Sequence, residues 1–302
     1  MGLFNFIRQH LVAFLWISLI TLIADQTMKH LQEIYTALNL DKKLIELANG
    51  QISIPYLDNY RQPDEYWYPH PPVLIPLFLG YGASYYGISQ HFFGERKTTF
   101  VEYAIEWGYM LEFARTPNQI YSQMVLDMNM LAEGLDDQIL AFCAEIDFKK
   151  FKDVDSFAYQ YGNIMEDYDK LIHLQEGTPL TYIKALKNYK GDYPSSEKLF
   201  NADQLQACCS FEIANPQFLE ERTDLPEWLK PLVPQRELFN TYIENKDLKS
   251  AWLTLNSTGW SLADVAEGLT VLKSMTDNPL FQLVADNWIA GWSNSEFKTG
   301  SL

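Results

Sequence analysis

Residues 72–115 read PVLIPLFLGYGASYYGISQHFFGERKTTFVEYAIEWGYMLEFAR, and this stretch decides the fold. Short runs of apolar, aromatic and β-branched side chains are typical of strands, and the glycines between them favour tight turns. Strands that follow one another across short turns form an antiparallel meander. The pattern predicts four strands, at Val73–Leu79, Ser84–Phe93, Thr98–Ile105 and Tyr109–Ala114.

Helical patterns stand on both sides of this stretch. Thr27–Asn49 has apolar residues near the helical period, and a loop rich in proline and aromatic residues follows it. After the last strand, Thr116 and Pro117 precede Gln119 at the spacing of a capped helix start. The sequence therefore predicts helices that flank the sheet before and after it.

The second half of the chain is also helical in pattern. We predict an α+β fold, with a small antiparallel sheet at about residues 73–114 flanked by helices and a helical C-terminal half. The boundary stays open between one domain and two, at 1–150 and 151–302, because no flexible linker divides the chain. The helices predicted there are 155–174, 179–189, 196–214, 234–244, 248–255, 261–273 and 279–291.

The charge balance is acidic, with 39 Asp and Glu against 23 Lys and Arg and a net charge of −16. Such a chain repels nucleic acid and anionic lipid, and it attracts basic partners over long range. Solubility alone is the other explanation of the same excess. Nucleic-acid binding is disfavoured, while a basic protein partner fits the charge.

An apolar run near the N-terminus, Leu11–Ala24, allows three interpretations. It has the length of the apolar part of a signal peptide, but Leu22 fits a cleavage site poorly. It is shorter than the ~20 residues of a membrane-spanning helix. A helix packed on the protein or lying at a membrane surface is the interpretation we favour, so membrane contact through this run stays open.

The sequence contains no recognised catalytic or metal-binding motif. Its five histidines lack a metal-ligand spacing, and its glycines form neither a phosphate loop nor a dinucleotide fingerprint. Three cysteines without C-x-x-C spacing suit a reducing compartment, which favours a cytoplasmic protein. We expect no cofactor, no metal and no catalytic residues, although an enzyme without a known motif remains the third alternative.

A pattern of residues over about 30–135 resembles the SUKH superfamily of bacterial immunity proteins, which neutralise polymorphic toxins. The resemblance is carried by Leu74-Ile75-Pro76-Leu77, the strand pair Thr98–Ile105 and Tyr109–Ala114, and the helix start Thr116-Pro117-Asn118-Gln119. The Asn-Gly-Gly-like turn common in that family is not evident here, and the apolar first helix and the helical second half are additional.

The resemblance implies a non-enzymatic protein that binds and neutralises a cognate toxin, which the acidic charge suggests is a basic nuclease. A membrane-associated scaffold or accessory protein of the cell envelope, held at the inner membrane by Leu11–Ala24, is the alternative. Acidic and aromatic side chains near the sheet are the expected contacts with the partner. The predicted partner-binding residues are Tyr66, Trp67, Tyr68, Glu102, Glu106, Trp107 and Glu112.

Overall fold

A four-stranded sheet lies at the centre of the computed structural model, which describes residues 30–94, 97, 99–175, 177–182, 226–230 and 232–302. Every neighbouring pair of strands is antiparallel, in the order β1-β2-β3-β4, so the predicted meander and the α+β fold are confirmed. The strands are β1 (Leu74–Leu79), β2 (Ser84–Ser89), β3 (Thr99–Ala104) and β4 (Tyr109–Ala114).

Cross-strand pairing fixes which side chains share a face. Ile75 pairs with Ile88, which pairs with Phe100, so these three form one apolar row on the first side of the sheet. Register shifts in β1 and β4 each insert an extra residue there. The second strand ends at Ser89, four residues earlier than predicted, because the chain leaves the sheet and packs Phe92 and Phe93 on Trp252 and Phe281.

The first side of the sheet is covered by helices that come before and directly after it. Together with the sheet they enclose one apolar core, which includes Ile34, Leu44, Met124, Phe142 and Phe157. These helices are α1 (residues 30–37), α2 (Lys42–Ala48), α3 (Pro117–Ala132), α4 (Asp137–Glu145), α5 (Phe151–Tyr161) and α6 (Ile172–Gln175).

Two predicted helices are each divided. Within 27–49, the Asp41 carboxylate accepts from the amides of Lys43 (2.9 Å) and Leu44 (3.1 Å), and this N-cap starts a new helix. The helix predicted at 155–174 is wrong in its bounds: α5 ends before Gly162, whose φ of +66° turns the chain. A 3₁₀ turn at Met165–Lys170 and the short α6 follow.

The second side of the sheet is covered by the C-terminal helices. Trp252, Trp260 and Trp288 are buried here against sheet residues such as Tyr85 and Val101. These helices agree closely with the predicted ones: α7 (Gln235–Glu244), α8 (Leu248–Leu255), α9 (Leu262–Ser274) and α10 (Pro279–Asn294).

The change from one side to the other does not fall at residue 150. Helix α5 packs on α3, and residues 171–182 still contribute Leu171, Leu174 and Tyr182 to the first core. The sheet lies between both cores, so the two halves of the chain share it. The predicted boundary at 150 therefore separates elements that pack together.

The outer edge of β1 is occupied by side chains and loop backbone. Arg61 exchanges two backbone hydrogen bonds with Leu79, at 3.2 and 2.9 Å. The Tyr35 hydroxyl, on α1, donates to the Pro76 carbonyl at 2.6 Å, and Pro76 itself has no amide hydrogen. These contacts tie the helices of the first side to the edge strand.

Several predictions fall on residues outside the described ranges. These are the run Leu11–Ala24, the helix at 196–214, most of the helix at 179–189, and Cys208-Cys209. Cys143 is described and buried, and burial raises the pKa of its thiol to about 11. Among the described helices, none has the length and apolar character needed to cross a membrane.

Candidate functional site

Two tight turns meet at one end of the sheet. Because the strands are antiparallel, the β1–β2 turn (80–83) and the β3–β4 turn (105–108) lie at the same end. The Ile105 amide donates to the Ala83 carbonyl at 3.1 Å, which joins them directly. We call residues 80–83 and 105–108 the hairpin end.

The hairpin end exposes large side chains together with a carboxylate. Tyr81 is 68% exposed, and Ile105 and Glu106 are also exposed. Trp107 is half-buried and stacks on Tyr109, with ring centroids 5.9 Å apart. Aromatic residues next to an acidic residue on a convex tip suit contact with a basic protein surface.

The predicted aromatic loop Tyr66–Tyr68 is held to the same end of the sheet. The Tyr68 amide donates to the Tyr85 hydroxyl at 2.7 Å, close to the β1–β2 turn. Trp67 packs edge-on against Trp288, at 5.6 Å between centroids, and fills the space above Gly291. Trp67 and Tyr68 thus anchor the loop, while Tyr66 is exposed.

Glu102 lies inside a polar cluster on the first side of the sheet. Glu102 pairs with Tyr86 across β2 and β3, and the Tyr86 hydroxyl interacts with the Glu102 carboxylate and with the Asn59 side chain. Tyr60 stacks on Tyr86 at 5.0 Å, and the negative charge of Asp127 on α3 acts on Glu102. Glu102 is therefore only partly accessible, and it does not join Glu106 at the surface.

The polar cluster is completed by groups on α3 and the segment after α5. Asn163 donates to the Asp127 carboxylate at 3.2 Å and accepts from the Tyr168 hydroxyl. Tyr168 packs on Tyr182, with centroids 5.1 Å apart, and the Gln123 amide reaches the Tyr182 hydroxyl at 3.3 Å. The cluster connects the sheet, α3 and residues 163–182.

Burial shifts both carboxylates of this cluster in the same direction. Loss of water raises the pKa of Glu102 to about 7, opposed by the interaction with the Tyr86 hydroxyl and increased by the charge of Asp127. The same loss of water raises the pKa of Asp127 to about 6, opposed by the bond from Asn163. Two carboxyl groups therefore change charge near neutral pH within one cluster.

Glu112 is placed differently from its prediction. Its side chain is 0% exposed, because β4 is covered on both of its faces, and Arg115 Nε lies 3.7 Å from Glu112 Oε1. The prediction that Glu112 contacts a partner is wrong for this arrangement. Its acidic side chain belongs to the interior.

Sequence reasoning missed two residues, Asp127 and Tyr81. Asp127 is a lone acid within the otherwise apolar or amide-bearing part of α3, and a charge in such a run signals a buried polar contact. Tyr81 lies between Gly80 and Gly82, in the turn that the sequence predicts between the first two strands, and the sequence assigned it no binding role. Its exposure follows from the positive φ of Gly82, which places residue 81 at the tip of the turn.

Within the described residues, no group of His, Cys, Asp and Glu is arranged to hold a metal ion. The arrangement offers instead an exposed aromatic and acidic tip at the hairpin end, with a buried polar cluster on the first side of the same sheet. No family model, curated protein or solved structure matches the chain.

Proposed function

We propose that this chain is a non-enzymatic immunity-type protein that binds a cognate basic protein toxin through the hairpin end and neutralises it. One observation carries the proposal: Tyr81, Ile105, Glu106 and Trp107 lie together and accessible in a chain of net charge −16. The resemblance to the SUKH superfamily supports the same function. A cytoplasmic location, where the toxin would act on the producing cell, is part of the proposal.

The side chains of the hairpin end would divide the work of binding. Tyr81 and Trp107 offer rings that bury large areas at little loss of conformational freedom, as interface hot spots do. Glu106 and the net negative charge accelerate encounter with a basic toxin. The β-turn backbone is fixed by Gly82 and Gly108, both at positive φ, so the tip is preorganised.

The test uses each candidate toxin that is found encoded beside this chain, in co-expression rescue and in a binding titration. The variant Tyr81→Ser/Trp107→Ser is expected to weaken binding at least 100-fold and to abolish protection. Glu106→Lys is expected to slow association and to reduce its dependence on salt. Tyr159→Ser, which removes another exposed tyrosine on α5, is the control and should bind normally. Unchanged protection by the double variant would overturn the proposed surface.

One observation favours an enzyme instead, namely the raised pKa of Glu102 and Asp127. Against this, Asp127 accepts from Asn163 and Glu102 interacts with the Tyr86 hydroxyl, in a cluster that joins the sheet to its helices. We therefore assign the pair a structural role. Loss of protection in a stably folded Glu102→Gln protein that still binds toxin would favour catalysis.

The membrane-associated alternative depends on Leu11–Ala24. Deleting residues 1–25 and fractionating the cells separates the two functions. A soluble truncation that still protects against the toxin excludes the anchor as a requirement, whereas protection lost together with membrane association supports it.

A further inference from the structure

A groove on the first side of the molecule lies away from the sheet, between the C-terminal half of α3 and the packed helix α5. Its volume is about 680 Å³, within the range of ligand-binding clefts. Met130 and Glu133 line it from α3 and its C-terminus, and Asp155 and Tyr159 line it from α5. The proposed toxin surface does not include it.

Large apolar side chains are accessible along this groove. Tyr159 is 96% exposed and Met130 is 42% exposed, and both line the groove. Single exposed apolar residues are common, but two that line one groove from neighbouring helices suit an interaction site. Methionine is also suited to such surfaces, since its flexible side chain adapts to different partners.

The charge of the groove has one sign. Glu133 and Asp155 both line it, and no Lys or Arg is among the described residues that do. The Asp155 carboxylate accepts from Asn129 Nδ2 at 3.0 Å, which fixes its position between the two helices. The groove thus combines exposed apolar side chains with two carboxylates, of which that of Asp155 is held in place by Asn129.

The end of α3 places a carboxylate where glycine is usual. Glu133 adopts the left-handed conformation, with φ of +59°, and its amide donates to the Asn129 carbonyl. A non-glycine residue costs about 1 kcal/mol in this conformation. Glycine follows immediately at 134 and could take this conformation at a lower cost. The strained backbone of Glu133 is therefore not explained by the absence of a glycine at this helix end.

We propose that this groove binds a basic amphipathic helix of a partner protein, with its apolar side chains on Met130 and Tyr159 and its cationic side chains at Glu133 and Asp155. Charge complementarity selects this occupant: an acidic or neutral helix would leave both carboxylates without a cation, and a second copy of this acidic chain would bring like charges together. The site is independent of toxin binding at the hairpin end.

Two synthetic peptides of one composition serve as probes. In the first, Leu and Arg follow the helical i, i+3, i+4 period, so that one face is apolar; in the second, the same residues are scrambled. Fluorescence anisotropy measures binding of each. We expect the periodic peptide to bind at least tenfold more tightly, because the scrambled one keeps only the charge. Equal binding of the two, or no binding of either, would overturn the proposal.

Variants locate the site. Met130→Ser/Tyr159→Ser is expected to weaken binding of the periodic peptide at least tenfold, and Glu133→Gln about threefold. Tyr81→Ser, which removes another exposed tyrosine from the hairpin end, is the matched control and should change binding less than twofold. A loss in the control as large as in the double variant would place the peptide at the hairpin end and contradict the groove.

The methyl group of Met130 gives a local readout that a charge effect would not produce. In a ¹³C-methyl spectrum, assigned with Met130→Leu, the periodic peptide should shift the Met130 signal and leave that of buried Met110 in place. Shifts confined to other methionines would place the peptide elsewhere and overturn the proposal.

Discussion

The two sides of the sheet are built from different chemistry. On the first side, tyrosine hydroxyls, two carboxylates and amide side chains form the polar cluster around Glu102 and Asp127. On the second side, Trp252, Trp260 and Trp288 pack with phenylalanines in an apolar core. One four-stranded sheet thus separates an apolar core that contains a polar cluster from an apolar core built around tryptophans, and the two should respond differently to substitution and to pH.

The titratable groups on the two sides act in opposite directions. Burial raises the pKa of Glu102 and Asp127, so these carboxyl groups on the first side stay protonated to higher pH. Burial lowers the pKa of His70 to about 4, opposed by its contact with the Pro71 carbonyl. This imidazole on the second side therefore stays neutral to lower pH. As the pH rises from about 4 to 7, the stability contributed by the first side therefore falls and that contributed by the second side rises.

The largest expected effect is on the tryptophan side. Trp288 is buried, and its Nε1 donates to the His70 carbonyl at 2.8 Å. Trp288→Ala should lower the free energy of unfolding by about 4 kcal/mol, because it leaves a cavity and an unpaired carbonyl. Urea unfolding followed by circular dichroism measures it.

A matched pair of milder substitutions isolates the hydrogen bond. Trp288→Phe loses the bond to His70, whereas Trp252→Phe loses an indole N–H with no acceptor among the described residues. The first should cost about 1 kcal/mol more than the second. Equal losses would mean that packing alone holds Trp288.

The next effect is a pH dependence from the polar side. The folded protein holds a proton on Glu102 up to about pH 7, while the unfolded chain releases it near 4.5. Stability from this group is therefore full below pH 4.5 and is lost as the pH rises to about 7. Glu102→Gln should be more stable than the natural protein by about 2 kcal/mol at pH 8, a value reduced for partial contact with water, and nearly equal to it at pH 4.5.

Glu106→Gln is the control for that experiment, since it removes an exposed carboxylate from the hairpin end. Chemical unfolding at pH 4.5, 6 and 8 should give parallel curves for this control and the natural protein. If the stability of Glu102→Gln also changed with pH in parallel with that of the natural protein, the assignment of Glu102 to a water-poor cluster would be contradicted.

A smaller effect of opposite sign belongs to His70. The unfolded chain takes up a proton near pH 6.5, but the folded protein resists it until about pH 4. Stability is thus full above pH 6.5 and declines as the pH falls through that range. At pH 5 the natural protein should have lost about 1–2 kcal/mol of unfolding free energy through this group. His70→Phe, which keeps a ring among Trp67, Tyr85 and Trp288, should not show this loss.

Unfolding at pH 5 and 7 tests this. The stability difference between the natural protein and His70→Phe should shift in favour of the variant at the lower pH. If both lose the same stability between pH 7 and 5, another group is responsible for the acid response.

The sheet was predictable because its signals are local. Alternating apolar and β-branched runs with glycine turns set β3 and β4, and Thr116 with Pro117 set the start of α3. The break of the predicted helix at Gly162 was harder, since a lone glycine is tolerated in many helices. The predicted bounds of this helix were therefore wrong where a single residue determined whether the helix continued or ended.

The candidate site was predictable only in part. Glu106 and Trp107 follow from a turn between strands, and turns are exposed. The burial of Glu112 and the meeting of Glu102 with Asp127 depend on helices distant in sequence that cover both faces of the sheet. Periodicity along one strand shows which residues share a face, but it does not show whether a helix from residues 117–132 or 279–294 will cover that face.

The edge of β1 has a consequence for the behaviour of the chain at high concentration. Open strand edges template the addition of strands from other molecules, which leads to aggregation. Here Arg61 pairs with Leu79, Tyr35 takes the Pro76 carbonyl, and Pro76 offers no amide hydrogen. The β1 edge therefore has few free groups for an incoming strand, and this edge is protected against strand addition from a second molecule.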